Sequence, residues 1–149
     1  MQPKQKNLRV FNAKNAKVGV VVARFNQEIT EGLLNSAVQA LQDFKVLTKN
    51  TKVVWVAGAI EIPVALQKLA NTKKYNCLVV LGCVIRGETP HFEYVCKMAQ
   101  EGVLRVILDY HVPVGFGIIT VENFKQAKAR LHLGAEAVAA ALEVAQLKI

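Results

Sequence analysis

The sequence predicts an α/β protein, a three-layer αβα sandwich in which helices cover both faces of a four-stranded parallel sheet. Two patterns lead there. Short, nearly unbroken apolar runs rich in β-branched residues alternate with segments whose apolar residues recur at helical spacing, and strands apolar on both sides belong to parallel sheets buried on both faces. The chain of 149 residues, 52% hydrophobic and 20% charged, is long enough for one core. We therefore read residues 1–149 as one domain, with an N-terminal arm over about residues 1–16.

Taken in order, "KVGVVVAR" (17–24) is the first strand, and after Phe25-Asn26 the residues Ile29, Leu33, Leu34, Ala37, Val38 and Leu41 mark one face of a helix. "KVVWVAGA" (52–59) then leads into "EIPVALQKLA" (61–70), and "CLVVLGCVI" (77–85) into "PHFEYVCKMAQEGVLRVI" (90–107). "VPVGFGIITV" (112–121) is the fourth strand, followed by an alanine-rich helix expected from about Asn123 to Gln146. Near the start, "LRVF" (8–11) is a candidate short edge strand that a neighbouring subunit's sheet could take up. Right-handed crossovers place the loops that follow the strands on one rim, where open parallel sheets hold their ligands.

Composition narrows the function classes. No apolar stretch approaches the roughly 20 residues of a membrane helix. The opening "MQPKQKNLRVF" has no apolar core of a secretory leader, so a cytoplasmic address is expected. Cys77, Cys83 and Cys96 are odd in number and lack the paired close spacing of a zinc or redox site; the first two lie in an apolar strand and read as buried thiols. The net charge of +8 is spread over the arm, two loops and the last third, with little aromatic interleaving. That distribution fits a diffuse field drawing phosphorylated small molecules, or a merely solvated surface. Nucleic-acid binding is a further reading, and it requires a continuous cationic groove.

Three strand ends should converge on the ligand rim: Arg24-Phe25-Asn26, Gly58-Ala59-Ile60-Glu61 and Arg86-Gly87-Glu88-Thr89-Pro90-His91. Thr89 suits an N-cap and Pro90 the first helical position, which puts His91 in the first turn beside free backbone N–H groups that can seat a phosphate. His91 is either a proton carrier or a histidine that hydrogen-bonds at a helix start. Phe25 is either a core plug or an exposed platform for a flat heterocycle. Glu61 either accepts bonds from hydroxyls or biases a helix N-terminus. Gly58 and Gly87 suggest positive φ or a close backbone approach. Phe116, early in the fourth strand, belongs at the opposite end of the sheet, and Arg130 lies two turns into the last helix. Taken singly, the first reads as core and the second as a solvated charge; either can serve the rim only from an adjacent subunit.

Together, "ARFN" (23–26), "GAIEIP" (58–63), "LGCVIRGETPHFEYV" (81–95), "VPVGFGIITVEN" (112–123) and "AKARLHLGAEA" (127–137) resemble the lumazine synthase family, in order and spacing from about residue 8 to the C-terminus. The resemblance implies a flavodoxin-like fold and a transferase of riboflavin biosynthesis. Such an enzyme condenses 5-amino-6-(D-ribitylamino)uracil with 3,4-dihydroxy-2-butanone 4-phosphate to 6,7-dimethyl-8-ribityllumazine, phosphate and water, with neither metal nor organic cofactor. It implies that Phe25 stacks on the pyrimidine, that backbone groups of Ala59, Ile60, Cys83, Val84 and Ile85 bind its polar edge, and that Glu61 takes ribityl hydroxyls. Glu88 and Thr89 hold the phosphate, Arg130 and Phe116 arrive from the next subunit, and His91 shuttles protons.

The implied partners are small-molecule substrates, a homopentamer that is free or packed into a hollow shell of sixty subunits, and riboflavin synthase as recipient of the product; nucleic acid and membrane are not among them. Three positions depart from the family pattern. Ile60 stands where an aromatic is usual, Glu88 replaces a small residue, and only "LHL" separates Arg130 from Gly134, without the lysine-bearing turn associated with shell packing. That shortening points to a free pentamer and leaves His132 near the place of the missing lysine. A module of flavodoxin-like shape that binds a flavin or nucleotide without catalysis would share the platform and phosphate seat.

Overall fold

A computed structural model describes residues 9–149. Four strands, β1 (Val18–Ala23), β2 (Thr51–Val56), β3 (Cys77–Ile85) and β4 (Val114–Val121), form one all-parallel sheet in the order β2-β1-β3-β4. The helices are α1 (Gln27–Asp43), α2 (Ile62–Asn71), α3 (His91–Tyr110), α4 (Phe124–Lys128) and α5 (Leu133–Ala145). This is the three-layer αβα sandwich that the alternating pattern predicts, and its parallel order is consistent with the flavodoxin-like fold that the resemblance implies.

The apolar runs are explained by burial on both faces. In β1 every residue is buried, Val18, Val20 and Val22 toward a layer that includes α1 and α5, Val21 and Ala23 toward α2 and α3. In β3, Val79 and Leu81 face the first layer, and Leu78 and Val80 the second. From β1 the chain crosses by α1 to β2, while from β3 it crosses by α3 to β4 on the other side of the sheet. Right-handed connections running in opposite directions put their helices on opposite faces, which opens a crevice between the C-terminal ends of β1 and β3.

The final helix departs from expectation. The reading of one helix over 123–146 is replaced by α4, a tight turn over 129–132 and then α5. Through the turn, Arg130 N–H bonds Ala127 O and Leu133 N–H bonds Arg130 O, the shorter i to i−3 pattern. Close packing accounts for the break. A Cβ on Gly134 would lie 2.0 Å from Leu33 O of α1, and one on Gly115 2.0 Å from Ala137 O of α5. A straight continuation of α4 would not bring α5 against both α1 and β4. The alanines of α5 serve this core contact: Ala137, Ala139 and Ala141 are buried with Val138 and Leu142. Arg130 is therefore in the turn, not two turns into a helix.

At the other end, Asn123 does act as N-cap of α4, its Oδ1 accepting from Gln126 N–H at 2.9 Å. Of the candidate edge strand at 8–11, Leu8 lies outside the described residues and 9–11 pair with no strand here; Phe11 instead sets its ring edge-on to Phe44, 5.1 Å between centroids. Among the described residues no helix is long and apolar enough to cross a membrane.

Gly134→Ala and Gly115→Ala should each destabilise the protein by roughly 1–3 kcal/mol, since backbone atoms must move to admit the methyl group. Gly87→Ala, with nothing within 4 Å of its Cβ position, should stay within about 0.5 kcal/mol of the parent. Urea denaturation of the three variants against the parent measures the difference.

Candidate functional site

The crevice between β1 and β3 holds a cleft of about 430 Å³. Its wall draws on all three strand ends: Phe25 after β1, the stretch 57–61 after β2, and Cys83, Val84, Ile85, Gly87, Thr89 and His91 from the end of β3 to the start of α3. Phe92 and Val95, on the first turns of α3, complete it. Each segment arrives there because parallel strands deliver their C-terminal ends to a common rim.

Phe25 is 70% exposed, which overturns the core-plug reading and leaves an open ring face in the cleft. It is held from behind by its neighbour. Asn26 adopts the left-handed region (φ 60, ψ 49) that asparagine tolerates better than most residues, and its Nδ2 donates to Cys83 O at 2.9 Å. The loop after β1 is thus bonded to the end of β3, and the Phe25 N–H donates to Ala57 O at 2.9 Å, joining the loop after β2.

Ala59, Ile60 and Glu61 form a single 3₁₀ turn, with Glu61 at the N-terminus of α2. Ala59 is buried and Ile60 is 39% exposed. Glu61 has no ion-pair partner among the described residues, and its Oε2 lies 3.1 Å from where a Cβ on Gly58 would stand. Gly58 therefore makes a close approach, with φ at −150°, while no described glycine takes positive φ and Gly87 has open space around it. The suggestion of a special backbone at Gly87 does not hold.

The start of α3 is shifted by one residue from the sequence expectation: Pro90 occupies the cap position and His91 the first helical one. Thr89 Oγ1 accepts from His91 N–H at 3.4 Å, a long bond. His91 and Thr89 are both exposed on the cleft wall. Cys77 and Cys83 are buried thiols as the apolar strand suggests, and burial pushes them up to about 12 and about 11. Cys83 thus lines the cleft as a protonated, unreactive group; its carbonyl is engaged by Asn26.

Three candidates lie outside the cleft. Glu88 is exposed and is not part of its wall. Phe116 pairs with Val80, low on edge strand β4, and at 48% exposure is not core. Arg130 is half-buried, its Nη1 donating to Gln126 O at 2.9 Å while its Nε is buried without a partner. Ala57, Phe92 and Val95 are wall residues that the site-residue reading missed, while Asn26, placed on the rim by the sequence, ties two loops together rather than lining the wall. The i, i+4 spacing of His91 and Val95 on one helix face was the available signal for Val95.

With the geometry in view, the model of the 6,7-dimethyl-8-ribityllumazine synthase family matches residues 15–148. The chain belongs to that family. It is accordingly a lumazine synthase-family enzyme, a transferase of riboflavin biosynthesis acting on small molecules. The family match spans the three strand ends that build the cleft as well as β4 and the turn carrying Arg130.

Burial raises the Cys77 thiol above its ordinary value of 9.0, so its contribution to stability is intact below about pH 9 and is lost as pH rises toward about 12. Denaturation at successive pH values should show a loss of up to about 1.4 kcal/mol per pH unit in that window from this thiol, and Cys77→Ala should flatten the slope. A thiol reagent at pH 8 should leave Cys77 and Cys83 untouched until the protein unfolds; fast reaction of either in the native state would contradict their assignment.

Proposed function

We propose that the cleft condenses 5-amino-6-(D-ribitylamino)uracil with 3,4-dihydroxy-2-butanone 4-phosphate to give 6,7-dimethyl-8-ribityllumazine, acting in the cytoplasm and passing its product to riboflavin synthase. The observation that supports this most is the meeting of an open aromatic ring, an unpaired carboxylate, a helix start and a histidine on one wall of a family-matched chain.

In this reading the pyrimidine lies on Phe25, with its polar edge on backbone groups of Ala59, Ile60, Cys83, Val84 and Ile85, and Glu61 accepts bonds from the ribityl hydroxyls. The phosphate sits at Thr89 and the N-terminus of α3, a 20-residue helix whose dipole and free N–H groups favour an anion. Glu88 flanks that seat with its side chain turned away. The 5-amino nitrogen adds to the ketone and water leaves, forming an imine. Removal of the adjacent C–H proton expels phosphate, and the ribityl nitrogen then closes on the resulting carbonyl with loss of a second water. His91 carries the protons of these steps. Holding the two reactants together supplies much of the acceleration, about 7–11 kcal/mol in favourable cases.

The phosphate's cation comes from an adjoining protomer as Arg130, with Phe116 of that protomer over the ring. This accounts for a cleft whose wall contains no lysine or arginine among the described residues, and for apolar side chains left exposed on α3 and β4: Tyr94, Met98, Leu104, Leu108 and Phe116. A homopentamer is the proposed assembly, and the short turn over 129–132 goes with a free pentamer.

Mixing both substrates with the protein should produce the absorbance and fluorescence of the lumazine; a module that only binds would yield none. His91→Ala should fold, bind the uracil normally and turn over about 10²-fold more slowly, and an unchanged rate would remove His91 from the mechanism. Sedimentation should give a pentamer; a monomer at working concentration would leave Arg130 and Phe116 with no site to complete.

A further inference from the structure

Arg86 follows β3 directly, and its backbone N–H donates to Val121 O at 2.9 Å, extending the β3–β4 ladder by one residue. Its side chain then ties together elements that the backbone leaves apart. Nε donates to Glu122 Oε2 at 2.8 Å, Nη1 donates to Glu93 on the first turn of α3, and the guanidinium stands 4.4 Å from the centroid of the Phe92 ring. The backbone of Glu122 is tied to α4, its N–H donating to Gln126 Oε1 at 2.8 Å.

Between Arg86 and α3 lies the stretch 87–90, whose one side-chain hydrogen bond among the described residues is the long contact of Thr89 with His91 N–H. Residues on both sides of that stretch are gripped by the same guanidinium, and Phe92, which lies under it, is itself cleft wall. Exposed ion pairs contribute little to global stability. A planar fork shared between two carboxylates and stacked on a ring does restrict position, and lysine cannot reproduce it.

We infer that Arg86 is a positioning residue: its clamp on Glu93, Glu122 and Phe92 holds the turn that carries Thr89 and His91 in register with the rest of the cleft. The inference rests on the reaction given under Proposed function. The clamp has a second effect on the same turn. Glu93 is the acidic residue of the first turn of α3, next to the proposed phosphate seat, and Arg86 both neutralises it and keeps its carboxyl below the usual carboxylate range. Without the clamp an unpaired carboxylate would face the phosphorylated substrate's approach. Of the uracil's proposed contacts, Phe25 and 59–61 stand on loops that Arg86 does not touch, and the backbone of Cys83, Val84 and Ile85, though next to Arg86 in the chain, is held by the β3–β4 ladder.

The test is steady-state kinetics of Arg86→Ala, Arg86→Lys and Glu122→Gln, alone and with His91→Ala. Arg86→Ala should lower kcat about tenfold to a hundredfold, the scale of a small misplacement of a reacting group. It should raise KM for the phosphorylated ketone and leave KM for the uracil within about twofold. Arg86→Lys should not restore the parent rate, and in the His91→Ala background the Arg86→Ala loss should shrink to about twofold. Glu122→Gln, a neutral change of an exposed side chain, should give a smaller loss of kcat and serves if Arg86→Ala does not fold. A parent kcat in Arg86→Ala or, should that variant not fold, in Glu122→Gln overturns the inference, as does a parallel rise in both KM values or a loss that multiplies fully with His91→Ala. If the unaltered protein forms no lumazine, the reaction itself is wrong and the inference goes with it.

Discussion

The parallel pairing of β1 with β3 is the constraint on which the remaining structure depends. In register from Val18 opposite Cys77 to Val22 opposite Leu81, it places two strands buried on both faces side by side at the centre of the sheet. Chain leaving β1 must turn one way and chain leaving β3 the other, so no helix can close the gap between their ends. The cleft is the consequence of that divergence, and the Asn26 bond to Cys83 O spans it at its base. Because the strands themselves are held by apolar burial, the polar groups on the rim are free for chemistry; none is needed to keep the sheet together.

The opposite face shows what close approach requires. α5 can lie against α1 and β4 together because Gly115 and Gly134 remove the side chains that would hold the backbones apart. The same demand breaks the chain after α4, and the break sets Arg130 in a turn at the surface of the sandwich rather than inside a regular helix. Packing in one layer thus determines where a half-buried charged side chain stands, far along the chain from the cleft.

Much of this was legible in the sequence, for a physical reason that differs by element. β3 was read to its correct ends because a strand buried on both faces is an uninterrupted apolar run bounded by polar residues. The convergence of the segments at 24–26, 58–61 and 86–91 followed from topology alone. The split between α4 and α5 was not legible: every residue from 129 to 132 is compatible with a helix, and the bend is imposed by contacts with Leu33 and β4 that have no local signature. Phe116, taken singly, was misread as core and Phe25 was left open, because a phenylalanine after or within a strand has the same local pattern whether it faces core or solvent. The Arg86 clamp likewise joins residues 7 and 36 positions apart, and no short-range pattern announces it.

The charge arrangement around the cleft bears on the proposed contribution of a second protomer. A net charge of +8 raises the local concentration of anions without fixing any of them. Arg86, the basic residue adjoining the cleft wall at the end of β3, is committed to two carboxylates through Nε and Nη1, so its charge is already neutralised. A helix N-terminus alone is a weak anchor for a doubly charged phosphate, because it contributes about half a positive charge. Arg130 is differently placed: its Nη1 meets only a neutral carbonyl and its Nε has no partner. In the proposed assembly, the Arg130 Nη donors not used by Gln126 O on one surface and the phosphate seat on another, whose wall has no lysine or arginine among the described residues, are complementary patches on the same chain. In the proposed pentamer such patches would meet head to tail, the heterologous contact from which closed rings are built.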